Sequence, residues 1–269
     1  MKNEIKNKRI LITGGSSGLG RSLVSQFLAN NARVVAIGRN SINQRFINPN
    51  YLSFSCNHAS LDDIKNVIGL LKKEVTEFDI LINNAGVLSP PKLQYTINGF
   101  EISYQVNFLS HVLFTRLLLK HGLFKSGLIV NVSSPIYTRG KLIADYAIGK
   151  SKYGMFQAYS NTKLYMALFS NKLAEEGISS FSFNPGTFSS GIYRLQKKWF
   201  HVLYKIAAPF MVSPDNVAKA LYFIIKNGSW SNGDIVTKKG RIQHLNRFDT
   251  SQKLAFWQMI DDQIKDYLI

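Results

Sequence analysis

Apolar residues along this chain recur in two alternating patterns. Short runs rich in β-branched and aromatic residues stand at "RILIT" (9–13), "RVVAIG" (33–38), "YLSFS" (51–55), "FDILIN" (78–83), "GLIVNVS" (127–133), "ISSFSFN" (178–184) and "DIVT" (234–237). They read as strands buried on both faces. Between them, apolar spacing of three and four residues predicts helices at about 18–30, 61–75, 99–121, 155–176 and 214–227. Ser60 before "LDDI" and Ser213 before Pro214-Asp215 are expected to cap helix starts, with Pro214 in the first turn and Gly228 ending that helix. The alternation predicts an α/β protein: a doubly wound parallel sheet of about seven strands with helices on both faces. Without an internal repeat, low-complexity tract or linker, residues 1–269 are expected to form one domain.

In such a sheet, ligands sit at the carboxyl ends of the strands, near the point where strand order reverses. The stretch "ILITGGSSGLGRSL" (10–23) is one such end, running from strand through a glycine turn to a helix. Gly14 would permit the turn, while Gly18 and Gly20 would let a pyrophosphate and neighbouring backbone come close. The helix N-terminus supplies unpaired N–H groups and the positive end of a dipole. Gly14, Ser16, Ser17, Gly18, Leu19 and Gly20 are therefore expected to hold a dinucleotide.

Composition narrows the partners. The 269 residues, 45% of them apolar, suffice for a sizeable core. Cys56 is the sole cysteine, so no intrachain disulfide can form and no Cys/His cluster has metal-ligand spacing, which fits a reducing, cytoplasmic setting. The N-terminal "MKNEIKNKRI" is charged and leads directly into a strand, so no signal peptide is expected. The apolar stretch at 199–212 is interrupted by His201 and Lys205 and is too short to span a bilayer. The net charge of +17 raises the question of nucleic acid, but the basic residues are scattered and no binding motif accompanies them, so none is expected.

Further motifs follow in order: "NNAG" (83–86), "VNFLSHVLFT" (106–115), "IVNVSS" (129–134), "YSNTK" (159–163) and "NPGT" (184–187). Together with the T-G-x-x-x-G-x-G spacing from Thr13 to Gly20, they resemble the short-chain dehydrogenase/reductase family over nearly the whole chain, most closely its retinol dehydrogenase and protochlorophyllide reductase branch. The resemblance implies a Rossmann fold and an oxidoreductase using a nicotinamide dinucleotide.

Carbonyl reduction delivers a hydride to carbon and a proton to the resulting alkoxide. A free tyrosine, with a pKa of about 10, is a poor neutral-pH acid. Tyr159 and Lys163 stand at i, i+4 on one helical face, where the ammonium could stabilise a phenolate. The resemblance makes Tyr159 the acid/base and Lys163 also the holder of the nicotinamide ribose hydroxyls. Tyr146 and Lys150 have the same spacing, but Gly149 and Gly154 interrupt a helix there, whereas a glycine-free run extends from Tyr159 to Glu176. Ser134 would stabilise charge on the substrate oxygen, with Ser133 as its rival. Asn107 resembles the family asparagine that links the lysine to solvent; otherwise it is a polar residue on a wet helix face.

Asn84, Ala85 and Gly86 follow the fourth strand and Pro185, Gly186 and Thr187 the sixth, where small residues let a cofactor pass. After the second strand comes Gly38-Arg39 rather than a carboxylate, and a guanidinium suits a ribose 2′-phosphate, so NADP is expected over NAD. Asn57 departs from the aspartate that the family often has facing adenine, and its amide is expected to pair with the base edge as part of the cofactor site. His58 and His111 are expected to be structural. Phe188 through Val212, rich in aromatic residues, is expected to lid an apolar substrate pocket around 188–212, with membrane contact by an amphipathic 191–210 helix as the lesser alternative. The reading is an NADP(H)-dependent interconversion of an apolar alcohol and carbonyl, by a chain that could self-associate. A carbon–carbon double-bond reductase and a non-catalytic dinucleotide-binding regulator are the alternatives.

Overall fold

A computed structural model describes residues 4–39, 48–143, 152–188, 192–196 and 211–269. Its strands are β1 (Arg9–Thr13), β2 (Arg33–Gly38), β3 (Tyr51–Ser55), β4 (Ile80–Asn83), β5 (Leu128–Val132), β6 (Ser180–Asn184), β7 (Ile235–Thr237) and β8 (Ile242–Gln243). They form one sheet in the order β3-β2-β1-β4-β5-β6-β7-β8. All neighbours are parallel except β7 and β8. The order reverses beside β1, which pairs with β2 on one side and β4 on the other. A ligand crevice is expected at the carboxyl ends of β1 and β4.

The central strands are buried along nearly their whole length because both faces are covered. Leu11, Leu81 and Ile129 enter one core with helices α2 (Leu61–Glu74), α3 (102–120), α4 (Met155–Glu175) and α6 (Thr250–Ile264). Ile10, Ile12, Ile82 and Val130 enter the other with α1 (Gly18–Leu28) and α5 (Pro214–Asn227). Helix α3 runs as an α-helix over Ile102–Tyr104, a π-helical turn over Gln105–Leu109 and an α-helix again over Ser110–Lys120. Local capping chemistry sets several boundaries. Ser60 Oγ accepts from Asp63 N, Ser213 Oγ accepts from Asn216 N, and Gly228 closes α5 in the left-handed region at φ 64°. The helix expected from 99 starts at 102 instead, because Glu101 bridges to Tyr95 as extended chain and caps Tyr104 N with its carboxylate.

Two elements were not expected. Strand β8 is a two-residue antiparallel addition to the predicted seven. Helix α6 begins at a capping box between Asp249 and Gln252 and lays Phe256 and Trp257 against Phe108, Tyr165 and Phe169 of α3 and α4. Among the described residues, no helix is long and apolar enough to cross a membrane. Tyr146, Lys150 and residues 197–210, which hold most of the expected lid helix, lie outside the described residues.

Candidate active site

A cleft of about 560 Å³ opens at the carboxyl ends of the strands, along the switch point. Its floor is built from the glycine loop after β1. Gly14 and Gly18 have φ of 71° and 51°, which favour glycine. A Cβ on Gly20 would lie 2.1 Å from Gly14 O and 2.7 Å from Asn84 Nδ2, and one on Gly14 2.9 Å from Ala85 Cα. The glycines thus let the loop pack on itself and on the 84–86 loop, and the close approach at Gly20 is demanded by the chain's own backbone. Ser17 caps α1 without a side-chain hydrogen bond, and no acidic residue stands in the first turn, so the helix end faces the cleft with its dipole uncompensated. Ser16, Ser17, Gly18, Leu19 and Gly20 line it, and this end could hold a pyrophosphate.

Thr13, fully buried, ties the two loops together. Its Oγ1 accepts from Asn84 N at 2.8 Å and Ala85 N at 3.0 Å and lies 3.0 Å from His111 Nε2, while Thr13 O accepts from Asn84 Nδ2 at 2.8 Å. The sequence reading had not singled out Thr13 as a site residue, although it opens the glycine motif. His111 is driven well below the usual imidazole range by burial, then by neighbouring His58 and Lys163. His58, whose Nδ1 lies 2.9 Å from Ser110 Oγ, packs against its ring with centroids 4.9 Å apart and the planes tilted by 33°.

Asn107 is not on a wet helix face. It is fully buried at the π turn, where Oδ1 accepts from Val87 N at 2.7 Å and Nδ2 donates to Val87 O at 2.8 Å and Thr162 Oγ1 at 3.1 Å. The wider turn carries the amide inward, where it clamps the strand-like chain after Gly86 to helix α4. Gly86 must be small because a Cβ there would stand 3.3 Å from Asn107 Oδ1 and 3.7 Å from Lys163 Nζ.

Helix α4 presents Tyr159 and Lys163 to the cleft, and both are buried. The two serines after β5 part ways as strand alternation requires. Ser133 Oγ turns inward and donates to Lys163 O at 2.8 Å, whereas Ser134 lines the cleft and hydrogen-bonds the Tyr159 phenol. Lys163 Nζ donates to Val132 O at 3.0 Å and sits 5.7 Å from the Tyr159 ring centroid. The expected lowering of the phenol is absent from the chain by itself. Burial pushes Tyr159 well up, Tyr193 adds in the same direction, and the Ser134 bond only partly opposes them. Burial also brings Lys163 down to about 8. Desolvation disfavours the charged form of each group.

At one end of the cleft stand Arg39 and Asn57. Arg39 is exposed and, among the described residues, no carboxylate pairs with it. Asn57 Oδ1 accepts from Ala59 N at 3.1 Å. Toward the other end, Pro185, Gly186 and Thr187 line the wall after β6 with Gly186 at φ 72°. The remaining lining is mostly apolar, drawn from Leu88, Ile102, Val106, Ile136, Phe156 and Phe188 on separate segments. None of these was singled out except Phe188, since periodicity marks them only as core. Of the expected lid, Ile192–Leu195 forms a 3₁₀ turn that lines the cleft, and Phe188 pairs with Val212 to bring the ends of the excursion together.

A doubly wound sheet with a serine, a buried tyrosine–lysine pair and an open glycine loop meeting at its switch point is the layout of a nucleotide-dependent oxidoreductase. A family profile described as short chain dehydrogenase matches residues 8–199. Mouse retinol dehydrogenase 12 is 29% identical over 231 residues, 80% of this chain and 72% of its own length. Human retinol dehydrogenase 11 is 30% identical over 206 residues, 71% of this chain and 64% of its own length. Human polyprenol dehydrogenase is 29% identical over 205 residues, 68% and 62% respectively. Solved structures agree in fold. The 3-ketoacyl-(acyl-carrier-protein) reductase of Brucella melitensis complexed with NADH superposes with a TM-score of 0.65 at 22% identity, over 87% of this chain and 97% of that one. A short chain dehydrogenase from Burkholderia cenocepacia in complex with NADP gives 0.66 at 21% identity, again over 87% and 97%. The chain belongs to the short-chain dehydrogenase/reductase family and is an oxidoreductase of it.

Proposed function

We propose that the chain interconverts an alcohol and a carbonyl on an apolar small molecule, using NADP(H), with Tyr159 as acid/base. The observation that carries this reading is the convergence of Ser134, Tyr159 and Lys163 midway along a cleft that is polar and glycine-lined at one end and apolar at the other. The nicotinamide, when bound, supplies or accepts the hydride. Ser134 then hydrogen-bonds the substrate oxygen and holds it beside the phenol. Tyr159 hands its proton to that oxygen as negative charge develops, and Lys163, drawn toward neutrality by burial, is poised to return a proton or to stabilise the phenolate. Asn107 and Thr13 position the 84–87 chain without touching the reacting atoms.

Arg39, with which no carboxylate among the described residues pairs, favours a 2′-phosphate, since a guanidinium offers it bidentate, charge-assisted bonds. The apolar lining, and relatives named for retinol and polyprenol, favour a hydrophobic substrate. Phe188 and the turn at Ile192–Leu195 form part of its wall, in a chain that works as one domain.

The test is reduction of cinnamaldehyde and other apolar aldehydes with NADPH, followed by product analysis. Cinnamyl alcohol supports carbonyl reduction, and hydrocinnamaldehyde would replace it with double-bond reduction. Tyr159→Phe is expected to abolish turnover while leaving NADPH affinity nearly intact. Arg39→Asp is expected to shift the NADPH/NADH ratio of kcat/KM by about 2–4 kcal/mol toward NADH. An unchanged ratio would mean that Arg39 does not meet the phosphate.

A further inference from the structure

The cleft carries a further phenol beside that of Tyr159. Besides Ser134 and Tyr159, Tyr193 lines it, on the 3₁₀ turn Ile192–Leu195. That turn is fixed at several points. Leu88 N donates to Ile192 O at 2.8 Å, Gln196 Nε2 donates to Ser89 O at 2.8 Å, and Gln196 N closes the turn on Tyr193 O at 2.9 Å. Leu88 and Ser89 in turn continue the chain that Asn107 clamps at Val87. Ser89 is further held by a 2.5 Å contact between its hydroxyl and that of Ser103. Tyr193 is therefore held by the wall of the site itself, and its ring is half-buried at the cleft.

We propose that Tyr193 is a substrate-binding residue whose hydroxyl donates a hydrogen bond to the substrate oxygen, alongside those of Ser134 and Tyr159. Two observations point the same way. Tyr193 lines the same cleft as Tyr159, and the two phenols interact electrostatically. Ile192 and Leu195 of the same turn are apolar, so the phenol of Tyr193 is the polar group that these three residues give the lining, together with Ser134 and Tyr159 from other segments. A polar side chain lining a binding cleft contributes most to recognition when it meets a polar group on the ligand. An oxygen that accepts several donors is held in the geometry that hydride transfer requires, and those bonds strengthen as the alkoxide forms.

This inference rests on the carbonyl-reductase reading, and the experiment separates the two. Cinnamaldehyde and trans-β-methylstyrene share a skeleton and differ in that only the aldehyde carries an oxygen. Both are titrated into the complex of the full chain with NADP⁺, where no reduction occurs, for wild type and Tyr193→Phe, with tryptophan fluorescence as the readout. Tyr193→Phe is expected to weaken cinnamaldehyde binding about tenfold, leave β-methylstyrene and NADP⁺ binding unchanged, and lower kcat/KM for the aldehyde at least as much. Equal affinities of the two proteins for the aldehyde would overturn the proposal. So would an equal loss for both probes, since that reports packing of the ring and not recognition by the hydroxyl. Failure of wild type to oxidise NADPH with any aldehyde would sink the reductase reading alone, because the equilibrium titrations still report on Tyr193.

Discussion

Replacing Asn107 with alanine tests whether the clamp on Val87 organises the site. The substitution removes three hydrogen bonds at a fully buried position. Thr162 keeps a partner, because its hydroxyl also donates to Tyr159 O at 2.8 Å. Val87 does not fare as well: both its N–H and its C=O are bonded to this one amide, and the residue is 2% exposed. Two orphaned buried backbone groups at about 1–3 kcal/mol each, with the cavity left by the amide, give an expected destabilisation of about 3–5 kcal/mol. Urea unfolding monitored by tryptophan fluorescence measures it, and NADPH binding should weaken in parallel as the 84–87 chain loosens. Asn107→Asp is the control. It keeps an acceptor for Val87 N but sets its second oxygen against Val87 O, so the folded state favours the protonated acid. A carboxyl whose folded pKa is raised contributes stability below its unfolded pKa of about 4 and loses it as pH climbs toward the folded value. The aspartate variant should therefore approach wild type in acid and fall away from it near neutrality. A loss below about 1 kcal/mol for Asn107→Ala, with NADPH affinity intact, would refute the reasoning, since it would mean that Val87 finds other partners.

Lys163→Met should abolish turnover yet make the cofactor-free chain more stable at pH 7. Holding the ammonium at about 8 against an ordinary 10.5 costs the folded state on the order of 3 kcal/mol, partly offset by the bond to Val132. That cost is full below about pH 8 and is relieved as pH rises to 10.5, so the variant's advantage in urea titrations should shrink across that window. A variant less stable than wild type at pH 7 would contradict this. Gly20→Ala, whose Cβ would meet Gly14 O at 2.1 Å, should lower the Tm and weaken NADPH binding at least tenfold. Gly69→Ala, exposed inside α2 with nothing within 4 Å of the new Cβ, should instead raise stability by about 0.5–1 kcal/mol at unchanged activity.

Much of the architecture is written in local chemistry. Strand β1, the glycine turn and α1 follow from an apolar run, a backbone needing positive φ at Gly14 and Gly18, and a helix start, all within twenty residues. Ser60, Ser213 and Gly228 end their helices by bonds to residues a turn away, so their roles are readable without knowing the rest of the fold. The i, i+4 spacing of Tyr159 and Lys163 likewise guarantees a shared helical face. Helix α6 escaped because its stabilising partners, Phe108, Tyr165 and Phe169, lie far along the chain on α3 and α4.

Environment is what sequence alone does not carry. Adjacent serines at 133 and 134 are equivalent as letters; only the packing of α4 against β5 turns one toward Lys163 O and leaves the other for the Tyr159 phenol. The spacing of Asn107 says helix, and a helix asparagine is ordinarily solvated, but the π turn and the approach of Val87 bury it and consume its whole amide. Tyrosine and lysine on one face suggest mutual stabilisation of their charges. Burial, which depends on every segment that closes over them, reverses the sign for the cofactor-free chain. The apolar wall of the substrate cleft is assembled from residues 88, 102, 136, 156 and 188. No local period links such positions, because desolvation and cavity shape are set by surfaces that meet only when the sheet has brought its strand ends together.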